Sequence, residues 1–253
     1  MLLVIDAGNT NIVCALYEGM TQKALARLET EAIQAPEDMD VPFACAGVTG
    51  AAIVSVVPRL DPLLTRFCAE KTGHDPLFAT WETIPIPVRV ESPEKVGTDR
   101  ILNAWAAREE GGPLPLVVVD AGTAATFDVV DADGAFAGGA IMPGAGLSLG
   151  ALQAKAGNKL PVVTIARPAG AIGKNTHDAM QAGVFWGHVG AIERILSEIT
   201  AALGVPPRVV MTGGLAEVFA PALPGVETAD KDLTLRGLVR LYGGMEEYES
   251  TFL

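Results

Sequence analysis

One short pattern occurs twice in this chain, and it constrains the fold more than anything else in the sequence. Leu2-Leu3-Val4-Ile5-Asp6-Ala7-Gly8-Asn9-Thr10-Asn11 has a near-copy in Val117-Val118-Val119-Asp120-Ala121-Gly122-Thr123-Ala124. Each copy is an apolar, largely β-branched run that ends in Asp-Ala-Gly and a polar turn. The runs read as buried strands. Each Asp stands where its strand ends, and the glycine lets the backbone pass close to a ligand. Each copy then leads into a second strand-like run, Ile12–Tyr17 and Thr126–Val130, and each of those ends at a glycine turn, Glu18-Gly19 and Asp133-Gly134. Strand, turn, strand and turn, repeated in that order, predict two related halves facing each other across a cleft.

The rest of the sequence fits an α/β plan. Further strands are expected near Lys23–Glu29, Ala51–Val57, Ala135–Met142 and Val209–Thr212. Helices are expected over Leu60–Lys71, from Thr98 or Asp99 to about Gly111, Ser148–Lys155, Asp178–Leu203 and Leu233–Glu246, with a further helix after Gly213-Gly214. The acidic stretch Thr30–Pro42 is expected to hold a short helix. Thr80–Pro93, with three prolines, reads as an extended connector. The expected division is an N-terminal half over 1–112 and a C-terminal half over 113–253. That gives a duplicated α/β architecture with mixed sheets and a central cleft.

Composition excludes some classes of function. A net charge of −12 opposes non-specific binding to nucleic acid or to an anionic membrane. It leaves phosphate ligands open, because backbone amides, helix N-termini and a metal ion can hold them. No apolar run reaches membrane-spanning length, and the N-terminus lacks the basic start of a signal peptide. Cys14, Cys45 and Cys68 are scattered, an arrangement that fits a reduced cytosol and buried thiols better than a disulfide framework.

Several residues could carry chemistry. Asp6 and Asp120 are placed to hold a cation that accompanies phosphates, or else to hydrogen-bond their own turns. Asn9, Thr10, Asn11 and Thr123 offer small polar donors. Gly97-Thr98-Asp99-Arg100 puts a carboxylate and a guanidinium at a helix start; it suits proton acceptance and anion binding, or plain capping. Thr212-Gly213-Gly214 would admit a flat ligand. A P-loop motif is absent, as is a GxGxxG between a first strand and a helix. His74, His177 and His188 lack metal-ligand spacing.

Together these motifs resemble the type III pantothenate kinases, within the acetate-kinase/sugar-kinase/Hsp70/actin superfamily. The residues that carry the likeness are Asp6-Ala7-Gly8-Asn9-Thr10, Gly97-Thr98-Asp99-Arg100, Asp120-Ala121-Gly122-Thr123-Ala124, Gly138–Gly144, Ile172–Thr176, Thr212-Gly213-Gly214 and Leu233–Leu238.

The resemblance implies duplicated ribonuclease H-like halves and ATP-dependent phosphorylation of pantothenate, the first step of coenzyme A synthesis. It implies Asp99 as acceptor of the hydroxyl proton. Gly97, Thr98, Arg100 and Thr176 would bind pantothenate, with Arg100 near its carboxylate. The turn Asp6, Ala7, Gly8, Asn9, Thr10, Asn11, Ile12, Val13 would bind the ATP phosphates, with Thr123 a second ATP contact. Asp6 would lie near Mg²⁺, and Asp120 would ligate K⁺ or ammonium. A cytoplasmic homodimer is implied, with no nucleic-acid or membrane partner. At the substrate position where relatives often carry Tyr, this chain has Val90, which offers no hydroxyl. Two alternatives stay open: another small-molecule kinase of the superfamily, or a non-catalytic nucleotide-binding accessory protein.

Overall fold

The computed structural model describes residues 1–45, 47–156 and 159–251, with side chains as far as Met245. The chain forms two compact units, Met1–Glu109 joined by the chain from Leu233 on, and Glu110–Asp232.

In the first unit the order is β1 (Leu2–Ala7), β2 (Asn11–Glu18), β3 (Thr21–Glu29), β4 (Gly50–Ser55), α1 (Asp61–Thr72), β5 (Leu77–Phe78) and α2 (Thr98–Glu109). In the second it is β6 (Leu116–Ala121), β7 (Ala124–Val130), β8 (Phe136–Pro143), α3 (Ala145–Lys155), α4 (Thr176–Leu203), β9 (Arg208–Thr212), α5 (Ala216–Phe219) and β10 (Thr228–Ala229). The closing helix α6 (Leu233–Thr251) belongs to the first unit.

The two sheets have one topology. The first runs β3-β2-β1-β4-β5 and the second β8-β7-β6-β9-β10. In each, the Asp-bearing strand is central, antiparallel to the strand that follows it and parallel to the fourth. Central strands are covered on both faces, which is why β1 and β6 are continuous apolar runs. Leu3, Ile5 and Ala7 pack toward Leu60, Leu64 and Phe67 of the α1 side. Val117, Val119 and Ala121 pack toward Phe185, Val189 and Ile192 of α4. Asp6 and Asp120 occupy the alternate positions and so face the other way. The hairpin turns expected at Gly19 and Gly134 are present, with φ of 55° and 82°.

The structure departs from the sequence reading in four places. Thr30–Pro42 holds two 3₁₀ turns, Thr30–Ala32 and Pro36–Asp38, in place of an α-helix. Pro36 disfavours helical backbone before it, and the Asp38 carboxylate takes the N–H groups of Gln34 and Ala35 at 2.8 Å each. Strand β8 continues through Pro143 and passes almost directly into α3, which starts at Ala145 rather than Ser148. The two-residue edge strands β5 and β10 carry too few residues for a periodic signal.

The fourth concerns α6, which the expected boundary gave to the C-terminal half. It packs instead on α2, β1 and β4. Gly237 lies against α2 so closely that an added Cβ would stand 3.0 Å from the Ala106 side chain. Tyr242 lies over Gly50 in the same way. Thr234 and Asn103 join the two helices by a buried hydrogen bond of 2.7 Å.

Candidate active site

The first unit builds a turn and a carboxylate pair on one face of its sheet. After Asp6 the chain reverses through Gly8–Asn11, closed by Gly8 N–H donating to Asn11 O at 3.0 Å. Thr30, buried beyond the end of β3, clamps this turn twice. Its N–H donates to Thr10 O at 3.0 Å and its hydroxyl to Gly8 O at 2.7 Å. Arg59 holds Thr30 O and Ile33 O in turn. These bonds occupy the turn's carbonyls, so it offers a ligand N–H groups and the exposed side chains of Asn9 and Thr10. Ala7, Ile12 and Val13 are buried, so their contribution is backbone.

Helix α2 begins at Thr98, and its first turn carries Asp99. Arg100 N–H donates to Asp99 Oδ1 at 2.8 Å. A Cβ at position 97 would stand 2.5 Å from that same oxygen, so Gly97 leaves the carboxylate its place. Burial raises the pKa of Asp99 above the usual carboxylate range, opposed by the bond from Arg100 N–H and the Arg100 guanidinium. Asp6 is pushed up to about 7, first by burial and then by the Asp99 charge, with the Arg27 guanidinium acting the other way. Asp6 therefore lies within reach of the Asp99 charge. Val90 is half-buried in the connector before α2.

The second unit repeats the turn with different side chains. Gly122 N–H donates to Ala124 O at 3.0 Å, and Gly144 N–H donates to Thr123 O at 3.0 Å. Thr123 is exposed at the tip. Asp120 is half-buried, and Gly213, with φ of 88°, passes behind it. A Cβ on Gly213 would collide with Asp120 Oδ1 and with the Ala121 backbone, which explains the glycine after β9. Thr212 is the β9 neighbour of Asp120. Its hydroxyl is buried and has no hydrogen-bond partner among the described residues.

Thr176 stands elsewhere in this unit, at the start of α4. Asn175 caps that helix, its Oδ1 accepting from Asp178 N–H at 2.9 Å. Gly173 tucks under the first turn, where a Cβ would strike the Ala179 backbone. Thr176 lines a cavity of about 860 Å³ with Met142, Pro143, Lys174, Met180 and His188. That volume suits a small organic ligand.

The structure thus gathers Asp6, the Gly8–Asn11 turn, Asp99 and Arg100 in the first unit and Asp120 and Thr123 in the second, where Thr176 stands apart on the α4 cavity. Sequence reading missed the Thr30 clamp and the buried hydroxyl of Thr212, since both act through strand pairing. Among the described residues no cluster of three or more His, Cys, Asp or Glu could hold a metal by itself. No helix among them is long and apolar enough to cross a membrane.

Solved structures share this fold. A Baf family transcriptional activator from Campylobacter jejuni superposes with a TM-score of 0.62 at 19% identity, covering 97% of this chain and 99% of its own. A 2-dehydro-3-deoxygalactonokinase protein from Sinorhizobium meliloti gives 0.59 at 15%, covering 96% of each. Together with sugar-kinase relatives such as an N-acetylmannosamine kinase from Listeria monocytogenes (TM-score 0.53, 14% identity, 97% of this chain and 99% of the other), they place the duplicated ribonuclease H-like halves in the actin-like ATPase fold.

Sequence relatives are much closer. The type III pantothenate kinase of Rhodospirillum centenum is 45% identical, covering 94% of this chain and 96% of its own length. That of Paramagnetospirillum magneticum is 42% identical, with 96% of each covered. A sequence profile of the type III pantothenate kinases matches residues 2–198. The duplicated carboxylate-bearing turns, the GTDR helix start and this likeness over nearly the full length agree: the chain belongs to the type III pantothenate kinase family.

Proposed function

We propose that this chain transfers the γ-phosphoryl group of ATP to the hydroxyl of pantothenate, with Asp99 accepting the hydroxyl proton. The observation that carries this reading is the Asp99 carboxylate itself, fixed by Arg100 N–H at the start of α2 and raised in basicity by burial. A carboxylate less acidic than usual is a better proton acceptor, and positioning it beside the attacking oxygen is much of what phosphoryl transfer needs. Arg100, one residue on, supplies a planar fork for the pantothenate carboxylate. Gly97, Thr98, Val90 and Thr176 complete the pantothenate contacts, and Val90 contributes shape without a hydroxyl.

The turn from Asp6 to Val13 holds the ATP phosphates through its N–H groups, and Thr123 is a second nucleotide contact. A divalent ion, Mg²⁺, fits Asp6: one carboxylate with the rest of the shell left to phosphates and water is the usual Mg²⁺ arrangement. K⁺ or ammonium fits Asp120, where the Thr212 hydroxyl, without a partner among the described residues, adds a neutral oxygen donor beside the charge. When bound, these cations neutralise negative charge on the transferring group.

A homodimer is supported by large apolar side chains exposed on the second unit, among them Ile141, Leu147, Leu152 and Ile172. A cytoplasmic setting is supported by three free cysteines, with the buried thiols of Cys14 and Cys68 pushed up to about 12 and so unreactive.

The test is a coupled ADP-release assay with purified protein, ATP and Mg²⁺, with and without pantothenate, in K⁺ and then in Na⁺. ADP formation that depends on pantothenate and is faster in K⁺ is the expected result. Equal ADP release without pantothenate would exclude the reading.

A further inference from the structure

Arg27 lies outside every motif read from the sequence, on the edge strand β3. Strand register relates it to the nucleotide turn. Asp6 pairs with Val13 across β1 and β2, and Val13 pairs with Arg27 across β2 and β3. Direct cross-strand partners share a face of the sheet. Asp6, Val13 and Arg27 therefore form one row on one face, with Arg27 two strand spacings, about 10 Å, from Asp6 across the sheet. Val13 between them is short and buried, so a long side chain from β3 can pass over it. This face also carries α6 and α2: Gly50, which Tyr242 of α6 covers, pairs with Leu2 and so alternates with Asp6 on it. The start of α2 brings Asp99 near enough to be felt at Asp6.

The state of the side chain is as informative as its place. The chain has 18 lysines and arginines against 30 aspartates and glutamates, so acidic partners are plentiful. Arg27 is nonetheless exposed and makes no hydrogen bond or ion pair among the described residues. Its charge reaches Asp6 without pairing with it. Three residues further on, Thr30 bolts this strand to the phosphate turn through Gly8 O and Thr10 O, so the position of Arg27 relative to the turn is fixed by the fold.

We propose that Arg27 is a phosphate-binding residue of the nucleotide site, its guanidinium taking oxygens of the β- and γ-phosphates beside the Asp6 turn. This rests on the nucleotide site proposed above. A guanidinium is suited to the role because it stays charged, is weakly hydrated and can take two oxygens at once. It supplies fixed positive charge in an otherwise acidic chain where a triphosphate must be received.

The experiment compares wild type with Arg27→Gln and Arg27→Lys. Two quantities are measured: kcat/KM for ATP at saturating pantothenate, and the rise in melting temperature caused by ATP and, separately, by adenosine. The expected result is a fall of tenfold or more in kcat/KM for the Gln variant and a smaller fall for the Lys variant. The unliganded melting temperature is expected to match wild type. Stabilisation by ATP is expected to shrink while stabilisation by adenosine does not. A Gln variant within threefold of wild type that keeps its ATP-induced stabilisation overturns the assignment. So does an equal loss of stabilisation by ATP and by adenosine, which would mark general damage. Should the Gln variant fail to fold, the Lys variant decides on the same two readouts. If wild type binds ATP but does not phosphorylate pantothenate, the proposed function fails, and the thermal comparison still judges Arg27.

Discussion

Asp6 and Asp120 end equivalent strands of sheets with the same order, yet they stand in different company. In the first unit the row across the sheet reads Arg27, Val13, Asp6, Val54. In the second it reads Ile141, Thr126, Asp120, Thr212. The first row flanks its carboxylate with apolar side chains and ends in a guanidinium. The second flanks it with two hydroxyls and ends in an exposed isoleucine. One backbone frame thus presents fixed positive charge in one copy and neutral oxygen donors in the other. The first suits a polyphosphate, the second a desolvated cation. The clamps differ too. The residue that ties the turn to the end of the third strand is Thr30 in one copy, with a hydroxyl that bonds Gly8 O, and Gly144 in the other, where a Cβ would run into Gly122 O and Thr123 O. The two units share the scaffold and differ in a few side chains of each row.

The largest test of this contrast is at Asp99, the acid that only the first unit carries. Asp99→Asn is expected to lower kcat by about 10²- to 10⁴-fold, the range for loss of a general base, with ATP affinity by titration within about threefold of wild type. Unchanged turnover would remove Asp99 from the chemistry.

Next comes the second row. Thr212→Val removes a buried hydroxyl that lacks a hydrogen-bond partner among the described residues. With no cation the change is expected to be neutral or stabilising, because an unsatisfied polar group is lost. In K⁺ it is expected to weaken the potassium-dependent gain in melting temperature and raise the K⁺ concentration for half-maximal activity about tenfold. Equal behaviour in K⁺ and in Na⁺ for both proteins would break the assignment of the second row to a cation.

The clamps give a stability comparison readable by urea denaturation. Gly144→Ala forces a methyl onto two backbone carbonyls and is expected to destabilise by about 1–3 kcal/mol, as overpacking does. Thr30→Val keeps the shape but leaves Gly8 O without its donor, with an expected loss of about 1 kcal/mol. The reverse order would mean that the Thr30 hydroxyl matters more to its turn than the close approach at Gly144 does to the other.

The last test is a pH dependence at Asp6. Its folded value near 7 lies above the ordinary 3.8, so ionisation is disfavoured in the folded state. The stability linked to this group is complete below about pH 4 and is lost as pH rises through 7. Asp6→Asn removes that dependence, so without nucleotide it should raise the melting temperature at pH 8 relative to wild type and change it little at pH 4. Mg·ATP binding, which favours the ionised carboxylate, should tighten in wild type between pH 6 and 8, with the gain absent in the Asn variant.

Much of the fold is legible in the sequence because the signals are local. Apolar runs that end in Asp-Ala-Gly, the Gly19 and Gly134 turns and the helical spacing in Leu60–Lys71 each report on a few neighbouring residues. Asp6, Asp99, Arg100 and Asp120 are legible for the same reason: each sits in a short motif at the end of an element. Other features depend on partners distant in the chain. Helix α6 reads as part of the C-terminal half until its packing against Gly50 and Ala106 is seen. Thr30 reads as the start of an acidic stretch expected to hold a short helix, Arg27 as one residue of an expected strand, and Thr212 as part of a glycine turn that would admit a flat ligand.

The sequence by itself determined the duplication, the strand–turn–strand units and the acidic side chains at their ends, because hydrophobic periodicity and glycine placement act over a few residues. Only the tertiary structure decided which side chains share a row with those acids, which unit the last helix joins and which threonine holds the Gly8–Asn11 turn. Those outcomes follow from strand register and face-to-face packing, which bring together residues such as Asp6 with Arg27, or Asn103 with Thr234, that no window along the chain contains.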